Sequence, residues 1–536
     1  MRILAALTLL ISALLSPLST AAPLVGCGTT SWVSDPSDPN NGKIEAAIRK
    51  VAEKPSGELT KADLEKVTRL HLWNAKLTDV KGLEKLTRLE VLSLNDNPAL
   101  IKAQIAELKK ALRKCDIRHN ATNRAAESVE DRAARFAAMT PEEAGAFEDD
   151  IKQKLKGLGG NEAKRLIVDL ALIPPKMNTS PLPEYGYDRL DYGMTIGIER
   201  TPGGRLWACW VAGGDSAEAF FVLATSDDDG ETWSKPRLVI DPHKKNLPQK
   251  RRVLVGNLWT DPTGKLWLFF DQSMEMFDGR AGVWASQCKN PDAKNPLWSR
   301  ARRIWHGSTL NKPTVLSTGE WMLPISLLEH GAPHYKGGGF QELYPLRGAN
   351  VFVSEDKGAS WQRRGAVRFP HPNWHEHMIV ERRDGSLWML ARTGNGIMES
   401  TSTDGGKNWS KPTASKINHP VARFHIRRLA SGRLLLIKHG DTIDSHQHRS
   451  KLTAWLSEND GESWSGGLML DKRNGISYPD GFQAPDGTIY ISYDRNRATD
   501  GEILLARFTE EDIVARMLVG KKSKLQIQIS RARAGD

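Results

Sequence analysis

Cysteine is scarce in this chain, with four residues among 536. Cys115 and Cys209 lie inside apolar patterns, and no spacing pairs them with each other or with Cys27 and Cys288. We therefore expect hydrophobic cores, and not disulfides, to hold the fold. A chain of 536 residues is too long for one ordinary core, so two or three domains are predicted.

Long apolar runs are also missing after the N-terminus. No later stretch approaches the ~18 apolar residues of a membrane-spanning helix, so no transmembrane helix is expected. Met1-Arg2 and the apolar run 3–15 predict a signal peptide over residues 1–22. Two cleavage sites compete, because residues 19–21 fit ordinary secretion whereas 24–27 resemble a lipobox that would attach a lipid to Cys27. Both place the protein outside the cytoplasm, secreted or periplasmic, with that lipid as its only expected contact with a membrane.

Acidic residues are outnumbered, since 75 Lys and Arg against 64 Asp and Glu give a net charge of +11. The basic residues are scattered and form no patch interleaved with aromatic residues, so no nucleic-acid partner is expected. A solvated basic surface explains the charge, and attraction of acidic glycans is the alternative. Residues 511–536 carry a basic run from Lys521 to Arg533 and predict a frayed C-terminal tail.

A short repeat occupies residues 43–120. Leu70 and Leu72 recur as Leu92 and Leu94, and again as Cys115 and Ile117, within the period of leucine-rich repeats. Each repeat predicts one short strand, and the stretch before the first repeat predicts a capping helix or helices. Such a region serves as a protein or glycan contact surface, or it is a spacer that packs against its neighbours.

Residues 121–172 predict a helical connector without chemistry of its own. Thr140 is a good N-cap, Pro141 suits the first helical position, and acidic residues follow in the first turn. Apolar residues then recur at helical spacing until Gly159-Gly160 ends the segment.

From residue 175 a turn followed by an apolar strand recurs six times. Glycine supplies the left-handed position of each tight hairpin. The six turns contain Gly204, Gly264, Gly319, Gly385, Gly432 and Gly487. Units of about 50 residues, each with apolar runs for four strands, predict a six-bladed β-propeller over residues 175–510.

A second repeat, Ser-x-Asp-x-Gly-x-(Ser/Thr/Asn)-Trp, is interlocked with the first. Its copies begin at Ser226, Ser354 and Ser402, a copy at Ser457 has Asn459 in place of Asp, and a stretched remnant runs from 286 to 298. Its Asp accepts backbone N–H groups of a tight turn, and its Trp packs between blades. Such turns belong at the outer rim, so these acidic residues are predicted to be scaffold and not catalytic.

This second repeat is the Asp-box, or BNR repeat, and with the sixfold pattern it makes residues 175–510 resemble the sialidase superfamily. The resemblance implies a tyrosine nucleophile, a glutamate that activates it, an aspartate acid/base and three arginines that hold the sugar carboxylate. Glu376 precedes a Val-Glu-x-x-Asp-Gly-Ser-Leu strand that ends at Arg392, as the family pattern requires. The resemblance thus assigns Glu376 as the base and Arg392 as one clamp residue.

Two further positions match the family pattern. Tyr478 stands at the distance of the nucleophile before the last Asp-Gly turn, although Pro479 replaces the usual serine. Arg449 opens the Arg-x-x-Leu-Thr segment that carries a second clamp arginine. From residue type alone, Tyr478 is equally interpreted as a packing residue beside a turn, and both arginines as surface charges.

The remaining two positions depart from the pattern. Met194 stands where the family has its first clamp arginine, so that arginine is absent unless another residue reaches into the site. The acid/base aspartate belongs on the loop after the first strand, where Asp215 is the only aspartate and Glu218 is its rival. Gly-Gly-Asp is also common turn chemistry, which offers a structural interpretation of Asp215.

The resemblance implies an exported exo-glycosidase that releases terminal acidic sugars, sialic acid by default, from a glycan or glycoconjugate without a cofactor or metal. Met194 leaves open a non-catalytic glycan-binding or scaffolding protein. A hydrolase or lyase acting on uronic-acid polysaccharides is a third hypothesis, with His375, His377 or His425 as acid/base. The first two histidines are also metal candidates, although strand alternation places them on the face opposite Glu376.

Overall fold

The computed structural model describes residues 32, 35, 37–97, 99–119, 121, 129–328, 340–445 and 448–532. The predicted signal peptide (1–22) and Cys27 lie outside these residues. The chain divides into two compact units, Met1–Val129 and Glu130–Asp536, which are described in turn. Within the described part of the chain, no helix combines the length and the apolar character needed to cross a bilayer.

The first unit places one short strand on each predicted repeat. The strands pair in parallel in the order β1-β2-β3, with Leu70 opposite Leu92 and Leu92 opposite Ile117. These three side chains are buried in one apolar core. The elements are α1 (Asn41–Ala52), α2 (Lys61–Glu65), β1 (Arg69–His71), a 3₁₀ turn (Leu83–Lys85), β2 (Val91–Ser93), α3 (Lys102–Ala111) and β3 (Asp116–Arg118).

Asn97 links successive turns of this unit through its buried amide. Its Nδ2 donates to the carbonyls of Leu72 (2.8 Å) and Leu94 (2.9 Å), and its Oδ1 accepts from the Leu77 amide at 2.9 Å. One side chain therefore satisfies backbone groups that the short strands leave unpaired. The corresponding Asn120 lies outside the described residues, and the leucine-rich-repeat interpretation stays a prediction.

The second unit begins with helices that pack on the sheets that follow. Thr140 caps α5 as predicted, with Pro141 at its first position. Buried ion pairs join these helices to the sheets, Glu148 with Arg251 at 2.6 Å and Asp169 with Arg280 at 2.8 Å. The helices are α4 (Val129–Ala137), α5 (Pro141–Asp149), α6 (Ile151–Lys154) and α7 (Gly160–Asp169), with 3₁₀ turns at Leu170–Leu172, Pro183–Tyr185 and Tyr187–Arg189.

Six four-stranded antiparallel sheets follow and form the predicted six-bladed β-propeller. The strands are β4 (Met194–Arg200), β5 (Leu206–Ala212), β6 (Phe220–Ser226), β7 (Leu238–Ile240), β8 (Arg251–Arg252), β9 (Gly256–Thr260), β10 (Leu266–Asp271), β11 (Ser273–Met274), β12 (Val283–Cys288), β13 (Arg302–Trp305), β14 (Thr314–Val315), β15 (Trp321–Leu327), β16 (Gly348–Ser354), β17 (Gln362–Val367), β18 (Pro372–Glu381), β19 (Leu387–Thr393), β20 (Gly396–Ser402), β21 (Thr413–Ala414), β22 (His425–Arg428), β23 (Leu434–His439), β24 (Ser450–Ser457), β25 (Ser465–Asn474), β26 (Ile476–Gln483), β27 (Ile489–Arg495), β28 (Glu502–Phe508) and β29 (Lys524–Arg531).

Each blade is built from strands that are neighbours in the chain. Blades one to six are β4–β7, β9-β10-β12-β13, β14–β17, β18–β21, β22–β25 and β26–β29, while β8 and β11 form a separate pair. The first strands of blades one and two, three and four, four and five, and five and six contact each other, and β26 meets β4 where the ring closes. These first strands therefore line the centre of the propeller. A 3₁₀ helix (Gln341–Leu346) and α8 (Glu510–Ala515) interrupt the strand order.

The Asp-boxes lie at the outer turns of the blades, as predicted. In the third blade, the Ser354 hydroxyl accepts the Gly358 amide (2.7 Å) and the Asp356 carboxylate accepts the Ser360 amide (2.8 Å). The glycine corner rests on the preceding blade, since a Cβ on Gly358 would lie 2.6 Å from the Trp267 ring. The motif thus serves the ring and lies apart from its centre.

The structure corrects the prediction of a frayed C-terminal tail. Residues 511–536 were expected to fray, but α8 begins at Glu510, and β29 pairs with β28 as the outer strand of blade six. The cause is an apolar alternation of Leu525, Ile527 and Ile529 that packs this strand on its blade, while Gln526 and Gln528 between them are exposed.

We predict that two glycine substitutions separate backbone strain from inter-blade packing. Gly385 and Gly461 both have left-handed backbone, at φ +81° and +92°, but a Cβ meets nothing within 4 Å at Gly385 and lies 2.6 Å from Trp388 at Gly461. Gly385→Ala should cost about 1 kcal/mol of unfolding free energy. Gly461→Ala should cost about 1–3 kcal/mol more, because the tryptophan must shift. Equal urea midpoints for the two variants would contradict this account of the Asp-box.

Candidate active site

The predicted nucleophile and base meet at the centre of the ring. Tyr478 lies in β26 of blade six and Glu376 in β18 of blade four, and both strands are the first of their blades. The Tyr478 hydroxyl donates to Oε1 of Glu376 at 2.8 Å. Arg392, in β19, donates to the same oxygen at 2.8 Å from Nη1. All three side chains are buried, and the ring brings Tyr478 to a glutamate 102 residues earlier in the chain.

The backbone is bent where this pair meets. Tyr478 has φ +48° and Glu376 has φ +40°, which bulky residues seldom adopt. The strand register shifts at both places, between Ser477 and Asp480 and between His375 and Met378. Such bulges re-aim side chains, and strained backbone persists where the surrounding structure enforces it. Here the bulges turn both side chains toward each other.

Tyr478 is held as a neutral phenol. Burial raises its pKa to about 12, and the charges of Glu376 and Asp215 act in the same direction, while Arg392 and Arg497 oppose them. A phenol with this pKa is not ionised near neutral pH, so it becomes a nucleophile only if a base removes its proton during the reaction. The Glu376 carboxylate is in hydrogen-bond contact with that proton.

Two predicted arginines flank the nucleophile. Burial alone would lower the pKa of Arg392, but the charges of Glu376 and Tyr478 raise it above its ordinary value. Arg449 donates from Nη1 to the hydroxyl of Ser477, the neighbour of Tyr478, at 2.9 Å. Burial lowers the pKa of Arg449, and the nearby charges of Arg497 and Arg392 add to that effect. Two guanidinium groups and one carboxylate therefore surround a neutral tyrosine.

A third arginine, Arg497, was not predicted. Its guanidinium carbon lies 4.1 Å from the centroid of the Tyr478 ring, and its Nε and Nη2 bond to the Asp494 carboxylate at 2.8 and 3.2 Å. Arg497 follows β27, the second strand of blade six, just as Arg392 lies near the end of β19, the second strand of blade four. An arginine after an apolar second strand was a signal that could have identified it.

The first clamp arginine is absent from its expected place, as the sequence indicated. Met194 begins β4 and is 1 % exposed, with its sulfur 4.0 Å from the Tyr192 hydroxyl. Burial raises the pKa of that tyrosine, and the charge of Arg497 opposes the rise. The space at position 194 is thus filled by an apolar side chain with Arg497 close by.

The two acid/base candidates have different surroundings. Asp215 is exposed on the loop between β5 and β6, and its charge contributes to the raised pKa values of Tyr478 and Tyr192, after burial in each case. Glu218, on the same loop, forms an ion pair with Lys250. The charge of Asp215 thus acts on the nucleophile, whereas Glu218 is engaged by a lysine at the surface.

A buried ionic network lies beneath the nucleophile and was also missed from the sequence. Asp480, two residues after Tyr478, pairs with Lys312 (3.0 Å) and Arg423 (3.2 Å), and it accepts the Ile198 amide at 3.1 Å. Burial works to raise the pKa of Asp480, but these cations lower it below its ordinary value. Lys312 also contacts Glu199 at 3.0 Å, so one ammonium ties blade six to blade one.

The histidines beside Glu376 face protein groups. His375 Nδ1 lies 2.7 Å from the Ser326 hydroxyl, and His377 Nε2 lies 2.8 Å from the Asn350 carbonyl. Burial lowers their pKa values to about 3 and about 4. Neutral, separately bonded rings do not form a shared ligand set. Among the described residues, no group of three or more His, Cys, Asp and Glu side chains is placed to hold a metal ion.

A sequence profile described as the BNR repeat-like domain matches residues 204–491, more than half of the chain. The chain belongs to this family. The match confirms the predicted resemblance to the BNR-repeat superfamily that includes the sialidases, whereas the leucine-rich segment lies outside it. No curated protein sequence matches the chain.

Several solved structures resemble this BNR-repeat chain at low identity. A protein of unknown function from Dyadobacter fermentans is 14 % identical, covering 58 % of this chain and 93 % of its own, with a TM-score of 0.45. The intramolecular trans-sialidase of Ruminococcus gnavus is 14 % identical over 63 % of this chain and 98 % of its own, with a TM-score of 0.46. The leech intramolecular trans-sialidase is 14 % identical over 67 % and 73 %, with a TM-score of 0.48.

We predict that the buried network supports the nucleophile's strand. Lys312→Met should lower the unfolding free energy by about 3–5 kcal/mol, because Glu199 and Asp480 lose a buried cationic partner. Lys416→Met is the matched control, since the Lys416 and Glu462 side chains are 85 % and 67 % exposed. That change should stay within about 0.5 kcal/mol. Similar denaturation midpoints for both variants would refute a supporting role for the network.

Proposed function

We propose that this protein is an exported, sialidase-like exo-glycosidase that hydrolyses terminal acidic sugars from glycans, with sialic acid as the default substrate. The observation that carries the proposal is the buried hydrogen bond between the Tyr478 hydroxyl and the Glu376 carboxylate inside a cluster of arginines. Tyrosine nucleophiles are a known exception among glycosidases, and they suit a substrate whose own carboxylate would repel an anionic nucleophile.

In the first step, Tyr478 Oη attacks the anomeric carbon while its proton passes to Oε1 of Glu376. The bond from the anomeric carbon to the leaving oxygen breaks, and Asp215 gives that oxygen a proton. The products are a glycosyl-tyrosine, a protonated Glu376 and the released aglycone alcohol. The hydrogen bond at 2.8 Å supports this direction of proton transfer.

In the second step, a water molecule attacks the same carbon. Asp215, now a carboxylate, takes a proton from the water, and the phenol oxygen leaves and recovers its proton from Glu376. Two displacements at one carbon retain the anomeric configuration. An exposed Asp215 can exchange protons with water and with the aglycone, which suits both of its roles.

The placement of the arginines favours a carboxylate bonded directly to the anomeric carbon. In sialic acids the carboxylate is on that carbon, so it must lie beside the nucleophile. Arg392, Arg449 and Arg497 all surround Tyr478, and guanidinium groups bind carboxylates through paired hydrogen bonds. In a uronic acid the carboxylate is carried by C5, across the ring oxygen from the anomeric carbon, and so farther from the nucleophile.

The competing hypotheses receive less support. Met194 was the main argument for a non-catalytic glycan-binding protein, but the intact Tyr478–Glu376 pair is costly to keep in a site without chemistry, since both residues have strained backbone. A histidine acid/base acting on uronic-acid polymers is disfavoured because His375, His377 and His425 are buried. Glycan binding without turnover, or an unsaturated product, would favour these alternatives.

We also propose export through the apolar N-terminal run and, as a separate function, a protein contact through the leucine-rich segment. On the sheet of that segment, Leu70 and Leu92 point into the core while Arg69, His71 and Trp73 are exposed. An exposed tryptophan beside polar side chains is suited to a contact surface.

The catalytic role of Tyr478 predicts the outcome of a conservative substitution. Tyr478→Phe should lower kcat on a fluorogenic sialoside by at least ~10³-fold, because the nucleophilic oxygen is removed. Tyr493→Phe is the matched control, since this buried tyrosine also bonds a carboxylate, Asp471 at 3.2 Å. The control should keep near wild-type kcat. Full activity in Tyr478→Phe would overturn the mechanism, and absence of turnover of any acidic glycoside by wild type would overturn the enzyme assignment.

The acid/base assignment predicts a dependence on the leaving group. Asp215→Asn should slow hydrolysis of a natural sialoside roughly 10²–10⁴-fold, because the departing alcohol needs a proton. The loss in kcat/KM, which reports the first step, should be much smaller for an aryl sialoside whose leaving group departs as an anion. Its kcat should still fall, because Asp215 also activates water in the second step. Glu218→Gln on the same loop should change neither rate appreciably. The reverse pattern, with Glu218→Gln impaired and Asp215→Asn active, would assign the role to Glu218.

A further inference from the structure

We propose that Arg497 supplies the third carboxylate-binding guanidinium of the site. It would take over the role of the family's first clamp arginine, whose position holds Met194 in this chain. The inference rests on the proposed function and deepens it. It assigns binding of the substrate's carboxylate to a residue of blade six, on the connection between β27 and β28. In the family pattern that residue belongs to β4, the first strand of blade one.

The position of Arg497 is the first argument, because backbone contacts bring it to residue 194. The Gly193 amide donates to the Arg497 carbonyl at 3.0 Å, and the Thr195 amide donates to Oδ2 of Asp494 at 3.0 Å. Arg497 and its carboxylate partner therefore bond to the residues on both sides of Met194. Blade six and the first strand of blade one meet here, where the ring closes.

The orientation of the side chain is the second argument. Asp494 accepts from both Nε and Nη2, which fixes the plane of the guanidinium. The guanidinium carbon then lies 4.1 Å from the centroid of the Tyr478 ring, and the side chain is 13 % exposed. A held, partly exposed cation over the nucleophile is placed beside the carbon that Tyr478 attacks, where the carboxylate of the substrate must lie.

The packing of Met194 is the third argument. The methionine is 1 % exposed, so an apolar side chain is buried at the start of β4. The hydroxyl of its neighbour Tyr192 lies 4.0 Å from the Met194 sulfur, and the positive charge of Arg497 acts on the same tyrosine, opposing the rise in its pKa that burial causes. Met194 and Arg497 thus lie side by side. This is the arrangement expected if a guanidinium from position 497 replaced one from position 194.

The test compares an acidic substrate with its neutral form. Wild type and Arg497→Ala are assayed on an aryl sialoside and on the methyl ester of the same sialoside. Arg497→Ala should raise KM for the acid roughly 10- to 100-fold, since a charge-assisted hydrogen bond is lost, and change KM for the ester little. Arg497→Lys keeps the charge but lacks the fork, so it should show an intermediate loss.

A second variant tests whether a guanidinium at position 194 can replace the one at position 497. Met194→Arg combined with Arg497→Ala puts a guanidinium back at the family position, and it should recover much of the preference for the acid over the ester. Thermal unfolding of each variant checks the fold, because Arg497→Ala leaves Asp494 without its arginine.

Two results would overturn the inference while the proposed function stands: an unchanged acid-to-ester ratio in Arg497→Ala, or no recovery at all in the double variant. Failure of the proposed function looks different. In that case the wild-type protein neither hydrolyses the sialoside nor binds a 2,3-unsaturated sialic acid in calorimetry, and both claims fall together.

Discussion

The hydrogen bond between Tyr478 and Glu376 is the contact on which the rest of the site depends. A buried phenol has no nucleophilic character of its own, and burial raises its pKa to about 12. It becomes a nucleophile only when a base removes its proton, and the Glu376 carboxylate accepts a hydrogen bond from that hydroxyl. Arg392 donates a second hydrogen bond to the same carboxylate oxygen. The strained backbone at both residues keeps a neutral tyrosine and a carboxylate in contact. The surrounding cations balance that carboxylate and are available to the carboxylate of a sugar.

The scaffold separates the construction of the ring from its chemistry. The four Asp-box turns at the rim fix their blades against the preceding ones, as Gly358 does on Trp267. At the centre, Lys312 and Asp480 join the first strands of blades one and six below the nucleophile. Acidic residues therefore have two distinct uses in this propeller. At the rim they bond turn amides, and at the centre they balance buried cations.

The repeats made the fold predictable, because six glycine turns at blade spacing leave few alternatives, and all six glycines have the left-handed backbone expected of them. Glu376, Arg392 and Tyr478 were predictable because each stands at a fixed distance from such a turn. Arg497 was not, since its role depends on the closure that brings residue 497 beside residue 193. The outer strand β29 was missed because its exposed basic residues concealed an alternation of apolar ones.

The most direct measurement is to trap the covalent intermediate. A 2,3-difluorosialic acid forms the glycosyl-enzyme quickly and releases it slowly, and digestion followed by mass spectrometry locates the modified residue. The account predicts one adduct, on the peptide that contains Tyr478, and none in Tyr478→Phe. An adduct on another side chain, or turnover of a sialoside with no adduct at all, would contradict it.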